Sequence, residues 1–107
     1  MLSEMGDESF CLGHILEDSY QTIMSSPNLL EPLEQSFLDS VPMCSDCVYQ
    51  PFCGADPVFH HATQKDYIGH KPTSEFCARN MAIFRRLLSL MRADDWTANL
   101  FMRWAIQ

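Results

Sequence analysis

Cysteines are the residues of this chain best suited to chemistry, and four of them form a pattern. Cys44, Cys47 and Cys53 follow the spacing C-x2-C-x5-C, and Cys77 comes after a longer loop. Thiolates are the ligands that soft metal ions and iron–sulfur clusters prefer, and two cysteines this close can bind one metal corner from a single turn. We therefore predict a four-thiolate metal site, to which the fold must return Cys77.

Two metal centres compete for such a site. Zinc ribbons usually carry two C-x2-C pairs, and this chain has one. The wide separation of Cys53 and Cys77 suits the corners of a [4Fe-4S] cubane better than ligands around a single ion, so one [4Fe-4S] cluster is the preferred prediction. Zinc remains the alternative, either with the four cysteines or with His60 or His61 completing a site with the clustered three. Four structural thiols without metal are the remaining interpretation.

Composition bounds the class of protein. The 107 residues are 47% hydrophobic and 20% charged, which predicts one globular domain over residues 1–107. A net charge of −7 argues against a nucleic-acid partner. The N-terminus does not resemble a signal peptide and the number of cysteines is odd, so we expect a cytoplasmic protein. Arg85, Arg86 and Arg92 interrupt the most hydrophobic region, and no membrane span is expected.

Residues 1–43 are predicted to form an N-terminal segment with two short helices. Glu17 and Asp18 mark the start of the first, and Ser26 and Pro27 are the N-cap and first residue of the second. Apolar residues then recur every four positions, as in a buried helical stripe, at Leu29, Leu33, Phe37 and Val41. Pro32 is expected to kink or restart this helix, and Pro42 to end it.

Residues 44–77 are predicted to form the cysteine-rich loop that binds the cluster. Gly54 permits a left-handed conformation or a close approach to an inorganic sulfide. Val58–His60 suggests a short strand, and residues 61–71 suggest a loop with a turn at Gly69. Cys11 stands apart from the four and is interpreted as a small buried residue rather than a ligand or redox thiol.

Residues 78–107 are predicted to be helical. Ser74 is the expected N-cap of a long helix with Cys77 in its first turn, where the helix dipole favours a thiolate or an anionic cluster. Asp94 and Asp95 begin a last helix, whose aromatic stripe is interpreted as core rather than as a docking face: Trp96, Leu100, Phe101 and Trp104. The fold class is therefore mainly α, with an irregular metal-binding loop and little β structure.

The chain resembles the SPASM domain, the C-terminal auxiliary-cluster region of radical S-adenosylmethionine enzymes that modify ribosomal peptides. The resemblance rests on Cys44, Cys47, Cys53 and Cys77, which match the family positions that ligate the second auxiliary [4Fe-4S] cluster. Where the family pattern C-x2-C-x5-C-x3-C has its next cysteine, this chain has Pro57, so the resemblance implies one auxiliary cluster rather than two.

Shorter stretches resemble the radical maturases of the His-Xaa-Ser peptide system. They are Met5-Gly6-Asp7-Glu8-Ser9-Phe10, Leu12-Gly13-His14-Ile15, Cys53-Gly54-Ala55-Asp56-Pro57 and Phe76-Cys77. The C-x3-C-x2-C motif that binds the catalytic cluster in this class is absent from the sequence. We therefore expect a C-terminal portion of such an enzyme, without catalytic activity of its own.

Three functional hypotheses follow from these residues. The first is an auxiliary [4Fe-4S] domain with a structural, substrate-positioning or electron-relay role, whose partners are a radical barrel domain or subunit and a ribosomal precursor peptide. The second is a zinc-stabilised module that binds a peptide or protein. The third, a thiol redox enzyme that uses Cys44 and Cys47, lacks the expected βαβ context.

Overall fold

A computed structural model describes residues 6–106, which are mainly helical and contain no strand. The chain divides into two compact units, Met1–Ser74 and Glu75–Gln107. Five α-helices lie in the described part: α1 (Tyr20–Met24), α2 (Pro27–Gln35), α3 (Pro57–Gln64), α4 (Glu75–Ala93) and α5 (Asp95–Ile106). Short 3-10 turns span Glu8–Phe10, Gln50–Phe52 and Lys71–Thr73. The prediction of a mainly α fold is confirmed.

The two short helices of the N-terminal segment are present. The predicted start of the first at Glu17 and Asp18 is wrong, because α1 begins at Tyr20 and has no acidic residue in its first turn. Ser19 caps α1 by accepting a hydrogen bond from the backbone N–H of Thr22. Ser26 is the N-cap residue of α2 and Pro27 its first residue, as predicted. Pro32 lies inside α2 and is buried. The helix continues through Pro32 and does not restart there.

The predicted stripe from Leu29 to Val41 is wrong because α2 ends at Gln35, with Ser36 as its C-cap. The following residues form turns, in which the N–H of Val41 donates to the carbonyl of Leu38. Helical spacing therefore does not apply beyond Gln35. Phe37 is 61% exposed, whereas Val41 is 1% exposed.

The predicted strand at Val58–His60 is also wrong, since these residues belong to α3. Asp56 caps this helix by accepting a hydrogen bond from the N–H of Phe59 at 2.8 Å, and Pro57 supplies a first residue that needs no donor. Lys65 ends the helix in the left-handed conformation, at φ 59°. The local start and stop signals therefore outweigh the strand preference of a short apolar run.

Unit 1 has few buried apolar residues. Val41 and Pro32 are the apolar residues that the described part of the chain buries. Helix α2 contacts α3 and the 3-10 turn at Glu8–Phe10. Asn28 of α2 fixes that turn, because its side-chain amide donates to the carbonyls of Glu8 at 3.2 Å and Cys11 at 2.8 Å.

In unit 2, α4 contacts α5. Asp94 caps the start of α5, as predicted, because its carboxylate accepts hydrogen bonds from the Thr97 hydroxyl at 2.6 Å and from the Thr97 N–H at 3.0 Å. These hydrogen bonds lower the pKa of Asp94. Trp96 and Trp104 are 70% and 61% exposed, so their predicted place in a core is wrong.

None of the helices in residues 6–106 has the length and apolar character needed to span a bilayer.

Val41 and Val48 provide a matched pair of substitutions, because they are 1% and 79% exposed. We expect Val41→Ala to lower the free energy of unfolding by about 2 kcal/mol, since it removes buried methyl groups and leaves a cavity. Val48→Ala should change it by less than about 0.5 kcal/mol. Urea unfolding followed by circular dichroism measures both, and equal effects would contradict the place of Val41 in the core.

Candidate metal centre

The segment from Val41 to Cys53 folds as a series of hydrogen-bonded turns. The N–H of Cys44 donates to the carbonyl of Val41 at 3.1 Å, and the N–H of Cys47 donates to the carbonyl of Cys44 at 3.1 Å. Gln50 then donates to Cys47 at 3.0 Å, and Cys53 to Gln50 at 3.3 Å. Each of the three cysteines therefore lies where one turn ends, and the first two also begin the next turn.

Two backbone features flank this series. Met43, directly before Cys44, has a φ of 68°, a left-handed conformation that is uncommon for a residue with a side chain. Gly54, directly after Cys53, is not left-handed, and a Cβ added there would have no atom within 4 Å. The structure thus leaves open space beside Gly54 but does not show the left-handed conformation considered for it.

The four candidate ligands are all half-buried and all carry thiols rather than disulfides. Cys77 is the third residue of α4, which confirms its predicted position in a first helical turn. It belongs to unit 2, whereas the clustered three belong to unit 1. Cys11 is exposed, so its interpretation as a buried residue is wrong, and it lines an open groove of about 460 Å³ with Phe10.

Within residues 6–106, no three His, Cys, Asp or Glu side chains are grouped in a way that could hold a metal ion. The donor types and partial exposure of the cysteines fit a thiolate-ligated centre, but their arrangement is not a closed ligand set. Binding a metal through the three cysteines of unit 1 would therefore require their sulfur atoms to move together. The assignment to Cys44, Cys47, Cys53 and Cys77 remains a prediction from the sequence.

His60, an alternative ligand in the sequence-based prediction, is instead the most deeply buried side chain described, with 0% exposure. Its Nδ1 lies 2.7 Å from the backbone carbonyl of Asp56, and its Nε2 lies 2.8 Å from the Ser74 hydroxyl. Both ring nitrogens thus have hydrogen-bond partners, and neither is available to a metal in this conformation. We call this carbonyl–imidazole–hydroxyl arrangement of Asp56, His60 and Ser74 the His60 bridge.

The partners of His60 determine its tautomer. A carbonyl oxygen can only accept, so Nδ1 carries the proton and donates to Asp56. The Nε2 atom then accepts from the Ser74 hydroxyl, and the Lys71 ammonium is another donor at 3.4 Å. Burial lowers the pKa of His60, and the positive charge of Lys71 lowers it further, against the opposing effect of the Asp56 hydrogen bond. The imidazole is therefore neutral at pH 7.

A serine hydroxyl beside an oriented imidazole also matches the nucleophile–base pair of hydrolases. Ser74 is 3% exposed and His60 is 0% exposed, so a substrate carbonyl cannot reach the hydroxyl. The arrangement is consequently a structural element of unit 1.

The loop after α3 folds over the His60 ring. Gly69 has a φ of 73°, and a Cβ added there would lie 2.2 Å from Cδ2 of His60. The Gln64 side chain accepts from the N–H of His70 at 2.6 Å and donates to its carbonyl at 3.3 Å. The Lys71 ammonium donates to the carbonyl of Ile68. These contacts hold the loop between Lys65 and His70. The loop is shorter than predicted, because residues 61–64 belong to α3 and Lys71 begins a 3-10 turn.

His61, the other alternative ligand, lies in an aromatic cluster. It stacks on Tyr67 with ring centroids 4.9 Å apart and meets Phe10 edge to face at 5.2 Å. Its Nδ1 is buried without a hydrogen-bond partner in the described part of the chain, and the nearest carboxylate oxygen, from Asp7, is 3.8 Å away. The pKa of Asp7 is lowered, chiefly by the hydrogen bond from the backbone N–H of Ser9.

The His60 bridge was not foreseen from the sequence. Asp56-Pro57 signals the start of a helix, and a histidine four residues after a cap residue can face its carbonyl. Ser74 and Gly69 lie too far along the chain for local spacing to connect them with His60. The signal that the sequence does carry is Asp56-Pro57, which marks the start of α3.

No protein-family model, curated protein or solved structure matches the chain.

The burial of a neutral His60 makes stability depend on pH. Because the folded-state pKa of His60 lies below the ordinary value of 6.5, unfolding takes up a proton as pH falls below that value. The contribution of His60 is complete above that pH and declines below it, with a slope of at most about 1.4 kcal/mol per pH unit. Nuclear magnetic resonance titration of the His60 ring protons measures the shift. A pKa for His60 at or above the ordinary value of 6.5 would contradict the buried bridge.

Gly69→Ala should be strongly destabilising. The added Cβ would meet the His60 ring, and the left-handed φ is unfavourable for alanine, so we expect a loss of about 2–4 kcal/mol in the free energy of unfolding. Gly54→Ala is the control, because its Cβ meets no atom within 4 Å. Chemical denaturation of the two variants compares them directly, and a Gly69→Ala protein as stable as the control would contradict the close packing on His60.

Proposed function

We propose that this chain is an auxiliary [4Fe-4S] domain of the SPASM type, a C-terminal portion of a radical S-adenosylmethionine enzyme that modifies a ribosomal peptide. The ligands are Cys44, Cys47, Cys53 and Cys77. The observation that carries the proposal is the cysteine spacing, C-x2-C-x5-C followed by one distant cysteine. Iron–sulfur clusters are bound by this kind of clustered thiolate set.

The local structure of the loop supports the proposal. The three clustered cysteines recur at the ends of successive turns, where the hydrogen bonds of the backbone are already made within the loop. All four cysteine residues are half-buried rather than sealed inside a core.

The position of Cys77 also supports the proposal. In the first turn of α4, the backbone N–H groups have no partners within the helix, and the positive end of the helix dipole faces this residue. Both effects favour an anionic thiolate cluster. When bound, a fully cysteine-ligated cluster would supply a structural link or a relay for one electron. The residues of this chain would hold it and exclude water from it.

The exposed apolar surface supports a protein partner. Large side chains remain accessible in both units, and they include Ile15, Leu16, Tyr20, Phe52, Trp96, Trp104 and Ile106. Single exposed apolar residues are ordinary, but here they outnumber the buried ones. A radical barrel domain or subunit is the partner that the proposed function requires, and a ribosomal precursor peptide is its substrate.

Metal analysis of the chain purified without oxygen tests the proposal. We expect about four irons and four sulfides per chain, with a broad visible absorption. Cys77→Ala should lose most of the iron, whereas Cys11→Ala, which changes a cysteine outside the ligand set, should retain it. The two variants control for each other because each removes one thiol.

Two results would contradict the proposal. One zinc per chain without sulfide, unchanged after anaerobic reconstitution with iron and sulfide, would exclude the cluster and favour the zinc-stabilised binding module. Equal iron content in the two cysteine variants would exclude Cys77 as a ligand.

A further inference from the structure

We infer that α5 pairs with α5 of a second copy of this chain, antiparallel and about a twofold axis. Four exposed residues at helical spacing form the contact surface, which we call the outer face of α5: Trp96, Asn99, Arg103 and Ile106. Such a dimer goes beyond the proposed function, because it requires neither a cluster nor a barrel partner.

The outer face of α5 lies along one side of the helix, because its four residues recur at intervals of three and four positions. Trp96 is 70% exposed and Ile106 is 79% exposed. The half-buried residues Thr97, Ala98 and Phe101 lie on the other side of α5, the helix that contacts α4. The outer face therefore remains open to solvent.

Unit 2 has little core of its own. Neither α4, with 19 residues, nor α5, with 12 residues, contains a buried residue. Helices of this length are stabilised mainly by packing an apolar face rather than by helix propensity. Contact between the outer faces of two copies would bury Trp96 and Ile106 and supply part of that packing.

The order of charges along α5 favours a second copy in the antiparallel orientation. Asp94 and Asp95 stand at the start of the helix, and Arg103 lies in its last turn. In an antiparallel pair, the acidic end of each helix meets the basic end of the other, and the opposed helix dipoles also attract. A parallel pair would instead place like charges side by side.

The spacing of the outer face also defines the register of the pair. A twofold axis midway between Asn99 and Leu100 places Trp96 opposite the partner's Arg103, since both lie equally far from that point. A guanidinium over an indole ring forms a cation–π contact. The two Asn99 amides meet near the axis, where paired amides fix the register of packed helices. The outer face is thus complementary to itself.

The size of this surface predicts a reversible dimer. Five side chains from each copy, with Met102 beside the outer face included, bury roughly 1,000 Å² at about 100 Å² apiece, which is the lower limit for a specific interface. Each copy also carries a net charge of −7, which opposes association. Added salt screens that repulsion, so we expect moderate salt to strengthen the dimer.

Sedimentation velocity of the full chain over a range of concentrations measures the monomer–dimer equilibrium. A reductant is needed, because exposed Cys11 could otherwise link two copies by a disulfide. We expect Trp96→Ala to raise the dissociation constant by about tenfold, since it removes the indole and its cation–π contact.

Trp104→Ala is the matched control. Trp104 is 61% exposed and belongs to the same helix, but it lies off the outer face, with its ring 5.5 Å from that of Phe101. Its loss should change the dissociation constant by less than about twofold. Circular dichroism checks that both variants keep their helix content.

Charge reversal tests the orientation. Asp95→Lys and Arg103→Glu should each weaken self-association, because an antiparallel pair then brings like charges together. A mixture of the two variants restores opposite charges at both ends, so heterodimers should exceed the share expected from random pairing. Native mass spectrometry with one variant isotope-labelled counts them. If a reversal lowers the helix content, the comparison of Trp96→Ala with Trp104→Ala still decides.

Four results would overturn the inference. They are a chain that stays monomeric at its highest soluble concentration, equal effects of Trp96→Ala and Trp104→Ala, and random pairing of the charge-reversed variants. The fourth is a monomer that binds vesicles of phosphatidylserine and phosphatidylcholine in equal parts through Trp96, which would assign the outer face to a membrane surface. None of these results bears on iron content, so the proposed function is tested separately.

Discussion

The hydrogen bonds of one buried imidazole organise much of unit 1. His60 joins the start of α3 to the last residue of the unit, and the loop between them closes over its ring. Burying an imidazole lowers the stability of the fold unless both ring nitrogens have hydrogen-bond partners. When both have partners, the direction and length of the two hydrogen bonds fix where those partners lie. The position of Ser74 and the close approach of Gly69 are consistent with this requirement.

This dependence on polar contacts follows from the scarcity of buried apolar groups. Val41 is 1% exposed, whereas Leu33, Phe37 and Phe52 are more than half exposed. Small domains with so little core are usually stabilised by a metal, by disulfides or by a partner. The cysteines of this chain are thiols rather than disulfides. Among these means of stabilisation, the proposed cluster is a metal centre and the proposed barrel is a partner.

Local sequence signals predicted the helices that begin at Pro27, Glu75 and Asp95, because each follows a capping residue with a helical pattern behind it. They failed where two signals conflicted. Val58-Phe59 has strand-forming residues, yet the cap at Asp56 decided in favour of α3. They failed again where spacing continued past a helix end, as it did from Leu33 to Phe37.

The sequence likewise predicts some features of the candidate site and not others. The position of Cys77 in a first helical turn was predictable, since Ser74-Glu75 is a helix-start sequence and α4 begins at Glu75. The burial of His60 was not predictable, because its partners approach from residues that are distant in sequence. Spacing alone predicts Cys44, Cys47 and Cys53 as ligands, and the structure adds that their loop is a series of hydrogen-bonded turns.

Native mass spectrometry of the anaerobically reconstituted chain is the most direct test of the central claim. The proposal predicts one species, heavier than the metal-free chain by a single [4Fe-4S] cluster. A mass increase of one zinc ion, or none at all, would contradict it.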